Sequence, residues 1–385
     1  MIRNIPRTVW MLGFVSLFMD FSSELVHALL PLLLVNVLHV GMLEVGIIEG
    51  IAESTALLVK VFSGTLSDAI GKRKILLVIG YGLATITKPF FPLAQHVETV
   101  FAARFIDRIG KGIRGAPRDA LVADITPKET LGAAYGLRQS MDTVGAVLGP
   151  LSAVGLLFLY EDIRFALWFA LIPALFSMYI IFFKIKESTH LTKSAQSKKI
   201  FSLTLMRSFS PSFWLVVAIG SLFMLARFSE AFLVLKAQEG GFKIEFVPLV
   251  MAVMSVAYVV SSYPAGVLSD RFERRYLLYI GLILLVCADF SLANAASYTS
   301  ILFGAVLWGF HMGFSQGVLG AMVADTAPAD KRGSAFGFFN LFSGVAMLFS
   351  SVLAGWLWQS YGSAFTFYSS AIFAMLSLIL MFIKR

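Results

Sequence analysis

The chain has 385 residues, of which 58% are hydrophobic and 14% charged, and its net charge is +8. A soluble domain has about 45–50% apolar and about 25% charged residues, so this composition excludes an ordinary water-soluble protein. The basic residues cluster in short gaps between apolar runs, which is typical of membrane proteins and argues against nucleic-acid binding. The single cysteine, Cys287, excludes an internal disulfide.

Apolar runs long enough to cross a bilayer recur along the chain, since a spanning helix needs about 20 residues. They predict an all-α, polytopic membrane protein with twelve transmembrane helices. The first run is longer than the apolar region of a cleavable signal peptide, about 7–15 residues, so we interpret it as a retained helix. The predicted helices begin near Arg7, Glu44, Ile75, Thr99, Ala133, Arg164, Pro211, Phe246, Tyr276, Ser300, Gly333 and Ser363.

The gaps between these helices alternate in charge, and the basic set includes both chain termini. Cytoplasmic loops carry an excess of Lys and Arg, so this pattern predicts a multi-pass protein of the cell (inner, cytoplasmic) membrane with both termini in the cytoplasm. The longest gap, residues 187–208, is polar and basic, and we expect it to be a cytoplasmic linker. It would join a six-helix half, 1–186, to a second, 209–385, in a monomeric protein.

Two sequence patterns occur twice, about 200 residues apart. "VADITPKETLGAAYG" at 122–136 reappears as "VADTAPADKRGSAFG" at 323–337, and "GTLSDAIGKRK" at 64–74 reappears as "GVLSDRFERRY" at 266–276. An even number of spans in each copy gives both copies the same orientation. Such a parallel repeat, related by an axis along the membrane normal, is a transporter architecture.

The first of these patterns resembles the major facilitator superfamily signature between spans two and three, and the resemblance extends along the whole chain. The matching residues are Gly64, Asp68, Gly71, Lys72 and Arg73. The second copy keeps Gly266, Asp270 and Arg274 but has Glu273 in place of Gly71. The resemblance implies the twelve-helix fold of that superfamily.

Two further motifs point to branches of the superfamily. "RIGKGIRGA" is similar to the span-four signature of the proton-coupled members, through Arg108 and Gly112. "GAVLGPLSA" resembles the span-five signature of drug and tetracycline antiporters through Gly145, Gly149 and Pro150. It departs from that signature where Ser152, Ala153 and Val154 replace the expected paired glycines.

Charged residues at the predicted cytoplasmic helix ends suggest a gate. Carboxylates there can hold basic residues of the neighbouring turn while the cytoplasmic side is closed, and release them on opening. The alternative interpretation is a set of topology determinants and solvated turn charges. The predicted gate residues are Gly64, Asp68, Gly71, Lys72, Arg73 and Asp124 in the first half, and Asp270, Arg274 and Asp325 in the second.

The fourth predicted span carries a stripe of cations. Helical periodicity puts Arg104, Arg108, Lys111 and Arg118 on one face. Each would cost about 2.5–3.5 kcal/mol at mid-membrane, so the stripe must face protein or water. Either the acids Asp20, Glu24, Glu53, Asp107 and Asp142 neutralise it, or some cations meet an anionic substrate. On the second hypothesis the substrate-binding residues are Arg104, Arg108, Lys111, Arg118, Glu230 and His311.

Proton coupling requires an acid whose affinity for a proton changes when a cation or water approaches. Our candidates are Asp20, Glu24, Glu53 and Asp142, and the resemblance implies that Arg108 couples proton movement to the conformational change. His27 could titrate near neutrality, or could be a hydrogen-bonded contact between helices.

The sequence therefore predicts a secondary transporter, not an enzyme, that works by alternating access and is driven by the proton gradient, with no bound cofactor or metal. Its partners would be protons, the lipid bilayer and a small organic anion, such as a polycarboxylate, a phosphate ester or an anionic metal chelate like a siderophore. The first alternative is a proton/drug antiporter that exports hydrophobic or cationic compounds. The second, an intramembrane enzyme or a sensor, lacks a visible nucleophile–base pair or output domain in the sequence.

Overall fold

The computed structural model describes residues 5–127, 130–185, 203–269, 271–328 and 331–383. At positions 65, 68, 69, 203, 204 and 383 it describes only the backbone. Most of the predicted linker, Asp270 and the side chain of Asp68 therefore lie outside the described residues.

The described residues form sixteen α-helices and no strands. They are α1 (Arg7–Leu32), α2 (Met42–Ile70), α3 (Arg73–Thr87), α4 (Phe90–Leu93), α5 (Val97–Ile125), α6 (Leu131–Tyr160), α7 (Ile163–Trp168), α8 (Leu171–Lys184), α9 (Leu203–Arg207), α10 (Pro211–Ala226), α11 (Ala231–Glu239), α12 (Leu249–Ser269), α13 (Arg274–Ala293), α14 (Tyr298–Thr326), α15 (Arg332–Tyr361) and α16 (Ser363–Ile383). A π-helical turn, Leu33–Val37, continues α1, and a 3-10 turn, Ile244–Phe246, precedes α12.

These helices make up twelve membrane spans, as predicted. Ten helical segments in the described part of the chain are long and apolar enough to cross a bilayer. The charged helices α2 and α5 complete the set, because each has 29 residues and so measures about 43 Å at 1.5 Å per residue. All twelve spans begin within two residues of the predicted positions.

Local sequence signals explain several helix boundaries. The Asp162 carboxylate accepts hydrogen bonds from the backbone N–H groups of Arg164 and Phe165 at 2.8 and 3.1 Å, which starts α7. Ser210 caps α10, whose first residue is Pro211. Ser297 and Ser300 form a reciprocal capping box at the start of α14.

One compact unit, called unit 1 here, contains Met1–His39 and Thr55–Lys198. Within it α1 packs against α6 and α8, and α3 packs against α5. Its apolar core includes Val9, Leu12, Tyr81 and Leu121, all fully buried.

The second compact unit, unit 2, contains Val40–Ser54 and Lys199–Arg385. Within it α14 packs against α12 and α13, and α16 packs against α13 and α10. Phe228 lies at the centre of an aromatic cluster, with ring centroids 5.1 Å from Trp308, 5.6 Å from Phe232 and 5.5 Å from Phe367. The start of α2 thus groups with unit 2, whereas the predicted first half, 1–186, included it; the predicted domain bounds stay a prediction.

Large apolar side chains also cover the outside of both units. Phe183 is 72% exposed, and Phe158, Phe349 and Ile379 are more than half exposed. Soluble proteins rarely expose so many large apolar groups, so these side chains are suited to contact with lipid.

Candidate functional site

The four cations predicted to form one stripe on α5 have different surroundings. Arg104 and Arg108 are each only 1% exposed, whereas Lys111 is exposed and Arg118 is partly buried. The stripe therefore divides into a buried part and an accessible part. The predicted contact of Arg104 and Arg108 with substrate stays a prediction, because both side chains are enclosed in this structure.

The buried part of α5 forms an ion cluster with α3. The Lys88 Nζ lies 3.0 Å from an Asp107 oxygen, and the Arg108 Nε lies 3.9 Å from the other. Six residues after Arg108, nearly two helical turns, the Arg114 guanidinium lies 4.6 Å from the ring centroid of Tyr81. Lys88 was not among the predicted site residues. Its signal in the sequence was a lone charge in an otherwise apolar span.

Two glycines bring α6 close to α1. A Cβ atom at Gly145 would lie 2.3 Å from the Leu17 carbonyl oxygen, and one at Gly149 would lie 2.7 Å from the Leu25 nitrogen. Any larger residue would push the helices apart at these two positions. This close packing places Asp142 of α6 beside Asp20 of α1.

The carboxyl groups of Asp20 and Asp142 lie close enough to interact electrostatically. Two ionised carboxylates cannot hydrogen-bond to each other, because neither has a proton to donate. Two carboxyl groups this close can share one proton, as in other carboxylate dyads. The structure thus brings together two of the four predicted proton-coupling acids.

Two arginines surround this carboxyl pair. Arg118 Nη1 lies 3.0 Å from the Ser16 hydroxyl and 3.5 Å from Asp142. Arg138 lies 3.7 Å from Asp142 and 3.5 Å from Asp119. Arg118 was predicted as a substrate ligand but is engaged with these acids. Ser16 and Arg138 were missed, because their role depends on how α1 and α6 pack against α5.

Two ammonium groups on the same face of unit 1 are accessible. Lys60 of α2 and Lys111 of α5 are both exposed. They lie close enough to the carboxylates to interact electrostatically, Lys60 with Asp119, and Lys111 with Asp20 and Asp142. In the part of the chain that the structure describes, neither ammonium group makes a hydrogen bond or an ion pair. Lys111 was a predicted substrate ligand, and Lys60 was not.

The remaining acidic candidates differ in their partners. The Glu24 carboxylate lies 3.3 Å from the His27 Nδ1, one helical turn away, on the same helix as Asp20. Glu53 is half-buried and belongs to the part of α2 that groups with unit 2. Within unit 1, therefore, the predicted proton-coupling acids are Asp20, Glu24 and Asp142, and their role stays a prediction.

Glu230 and His311, the two predicted substrate ligands in unit 2, lie in different surroundings. Arg227 donates to Glu230 at 2.7 Å, and its guanidinium lies beside the Gln316 side-chain amide, whose oxygen faces it at 2.6 Å once the amide is turned to the orientation that satisfies its hydrogen bonds. His311 is fully buried, with its ring centroid 5.9 Å from that of Phe223 and 5.3 Å from that of Trp308. Both remain predicted substrate ligands, and His311 has no access from solvent in this structure.

An equivalent ion pair occurs at the predicted gate in each unit. Arg73 Nε lies 2.5 Å from Asp124, and its Nη1 donates to Ser67 at 2.9 Å. Arg274 forms the same pair with Asp325. Both pairs join residues 51 positions apart, and Arg274 and Asp325 each lie 201 residues after their counterparts.

The turns that precede these arginines differ. Gly71 has a φ of 65°, in the left-handed region that favours glycine, whereas Glu273 has a φ of −58°. Lys72 is exposed, and Arg73 rather than Lys72 pairs with the Asp124 carboxylate. A Cβ atom at Gly64 would only meet Ala116 at 3.5 Å, an ordinary contact. The gate roles of all these residues stay predictions.

Comparison with known proteins decides the family. Residues 12–242 and 231–385 match the Major Facilitator Superfamily. The chain belongs to this superfamily of membrane transporters. It is therefore a multi-pass secondary transporter of the fold that the repeats and helix count predicted.

Named relatives cover nearly the whole chain. An uncharacterized MFS-type transporter of Methanocaldococcus jannaschii is 30% identical, with 99% of this chain and 96% of the relative aligned. Multidrug resistance protein 1 of Bacillus subtilis is 24% identical over 93% of this chain and 90% of its own length.

Solved structures share the fold at low sequence identity. A POT family transporter in complex with 5-aminolevulinic acid has a TM-score of 0.83 and 12% identity, covering 98% of this chain and 95% of its own. A D-xylose-proton symporter has a TM-score of 0.77 and 17% identity, covering 97% and 96%.

Proposed function

We propose that this transporter is proton-coupled and moves a small organic anion by alternating access. The proposal depends on one face of unit 1, where the ammonium groups of Lys60 and Lys111 lie unpaired near the neighbouring carboxyl groups of Asp20 and Asp142, which we propose share a proton. Charge-assisted hydrogen bonds from such groups suit carboxylates and phosphates. Polycarboxylates, phosphate esters and anionic metal chelates such as siderophores are the substrate classes that fit.

The charges on this face couple the binding of a proton to the binding of an anion. Apart from the enclosed Arg108 and Arg114, its cations are Lys60, Lys111, Arg118 and Arg138. While Asp20 and Asp142 share one proton, its negative charges are Glu24, Asp119 and one charge on the pair, three in all. The excess positive charge attracts an anion. Loss of the proton adds one negative charge and weakens that attraction, so proton and anion favour each other's binding. We therefore expect both to be transported in the same direction.

The gate pairs would control whether this site opens to the cytoplasmic side of the membrane. Breaking Arg73–Asp124 and Arg274–Asp325 would accompany opening of the cytoplasmic side, and Asp68 and Asp270 would assist. We expect Asp68→Asn to impair conformational cycling while substrate affinity stays normal. We further propose that the protein is a monomer of the cell membrane with both termini in the cytoplasm, and that the proton gradient replaces any bound cofactor.

A proton/drug antiporter is the second candidate. The similarity to Multidrug resistance protein 1 favours it, as does the close approach of α1 and α6 at Gly145 and Gly149. Acids at Asp20 and Glu24 could then bind a cationic drug. Growth of a deletion strain in the presence of dyes and tetracyclines separates the two: increased sensitivity supports drug export, and unchanged sensitivity supports the anion transporter.

Flux into proteoliposomes with an imposed pH gradient tests the proposal. The panel contains citrate, glucose 6-phosphate, a ferric hydroxamate chelate, tetracycline and ethidium. We expect one anion class to accumulate when the outside is acidic and to stop when the gradient is collapsed. Gradient-driven movement of the two drugs, with none of any anion, would establish the second candidate instead.

A further inference from the structure

The seventh span, Pro211–Glu239, is interrupted near its middle. α10 ends at Ala226 and α11 begins at Ala231, so the last carbonyl groups of α10 have no partner within the helix. In a membrane such groups must be satisfied by neighbouring protein. The Ser350 hydroxyl donates to the Leu225 carbonyl at 2.8 Å, and the Ser370 hydroxyl donates to the Ala226 carbonyl.

The same Ser370 oxygen also contacts a buried acid. It lies 2.5 Å from the Asp289 Oδ2, and Asp289 has no exposed surface. A serine hydroxyl has one proton, and a carbonyl group cannot donate. If Ser370 donates to Ala226, the proton between Ser370 and Asp289 must come from the carboxyl group. Both contacts are therefore hydrogen bonds at the same time only if Asp289 is protonated.

Among the residues that the structure describes, no positive charge lies against Asp289. α16 and α12, which pack against α13, carry no charged residue between Ser363 and Ile383 or between Leu249 and Ser269. On α10 and α14, Arg227 is paired with Glu230, and His311 lies between Phe223 and Trp308. The other Asp289 oxygen has no hydrogen-bond partner in the described part of the chain. An ionised carboxylate would be buried here without a counter-charge.

We propose that Asp289 is a proton-binding site of unit 2, and that its proton fixes the interruption of the seventh span. With the proton present, Asp289 donates to Ser370, and Ser370 is left to donate to the Ala226 carbonyl. When the proton leaves to water, the carboxylate accepts the Ser370 proton, and the Ala226 carbonyl loses its donor. Proton occupancy thus changes the hydrogen bonding of the break between α10 and α11. This site is separate from the Asp20–Asp142 pair and does not depend on the substrate.

Infrared spectroscopy of the purified protein in lipid detects protonated carboxyl groups directly. We expect the wild type to show two such absorptions, one for Asp289 and one for the Asp20–Asp142 pair. Asp289→Asn removes only the first, and the new amide can still donate to Ser370. Asp20→Asn alters only the second. Because the two bands respond to different variants, failure of this site and failure of the proposed proton site are distinguishable.

Two serines of α16 provide a matched pair of variants that keep the acid. Ser370→Ala removes the hydrogen-bond partner of Asp289, and its band should move to the frequency of a carboxyl without that bond. Ser377, also fully buried on α16, donates to the Ile219 carbonyl at 3.4 Å and touches no acid, so Ser377→Ala should leave the band unchanged.

Hydrogen–deuterium exchange of residues 222–233 tests the link to the break. In the wild type we expect exchange to accelerate over the pH range in which the Asp289 band disappears, and in Asp289→Asn to be independent of pH there. A carboxyl region identical in wild type and Asp289→Asn would overturn the proposal. So would loss of the band on adding Na⁺ at constant pH, which would show a cation site instead.

Discussion

Helices α5 and α14 occupy the same place in the two repeats, yet only α5 is charged along its length. Both have 29 residues, and α14 begins 201 residues after α5. In that register Arg104, Arg108, Lys111 and Arg118 correspond to Ala305, Gly309, Met312 and Leu319. The acid at the cytoplasmic end is kept, as Asp124 and Asp325. The repeats thus share their helices and their gate pair. The four cations of α5, however, have uncharged residues at the corresponding positions of α14.

The neighbouring spans show the same divergence. Lys88 pairs with Asp107 in unit 1, whereas their counterparts in unit 2 are Asp289 and Trp308. A buried ion pair in one repeat is thus replaced in the other by an acid that meets a serine. The comparison indicates that substrate and proton chemistry should be far more sensitive to substitutions in α5 than in α14.

The largest effect is expected from Lys88→Met. It removes the cation that lies 3.0 Å from Asp107, where Arg108 is 3.9 Å away, and breaking a buried pair costs about 3–5 kcal/mol. Thermal unfolding in detergent should show a correspondingly lower melting temperature. The control, Lys88→Met with Asp107→Leu, removes both charges and should recover most of the loss. An unchanged melting temperature in the single variant would show that the pair does not stabilise unit 1.

Lys111→Gln should weaken substrate binding next. Loss of a hydrogen bond to a charged group costs about 1.5–3 kcal/mol, or about 10–150-fold in KM, with kcat little changed. Lys60→Gln should raise KM by a similar factor. Met312→Gln, at the corresponding position of α14, is the matched control and should have little effect. Equal effects of the α5 and α14 variants would contradict the assignment of the binding face to unit 1.

The two gate pairs should differ in strength. The Arg73 and Asp124 side chains are 10% and 25% exposed, against 33% and 58% for Arg274 and Asp325. Exposed pairs contribute about 0.2–1 kcal/mol, so Arg274→Gln should change kcat by less than about fivefold. Arg73→Gln, which also loses the Ser67 contact, should lower kcat by about tenfold or more. A larger decrease in kcat for Arg274→Gln than for Arg73→Gln would contradict this order of strength.

The smallest effect concerns the turns before these arginines. Gly71→Ala places a Cβ atom in the left-handed region and should lower the free energy of unfolding by about 1–2 kcal/mol. Gly266→Ala, in a helix with open space around it, should instead raise it by about 0.5–1 kcal/mol. Chemical denaturation of the two variants measures both. The same sign for both would indicate that Gly71 is not conformationally required.

Much of the frame could be predicted because it depends on local composition. Apolar length located all twelve spans, and repeated motifs identified Arg73, Asp124, Arg274 and Asp325 as a group. The site was harder, because helical periodicity places Arg104, Arg108 and Lys111 on one face but cannot say which neighbours enclose the first two. The Lys88–Asp107 pair and the contact of Asp20 with Asp142 depend on helix packing that the sequence does not state.

Proton uptake on anion binding tests the central claim, that one face of unit 1 binds an anion and a proton together. A pH indicator in weakly buffered detergent solution follows addition of the anion that the flux panel selects. We predict net proton uptake by the wild type at a pH where the Asp20–Asp142 pair is partly deprotonated, and none by Asp20→Asn. Proton release on anion binding, or equal uptake by Asp20→Asn, would contradict the account.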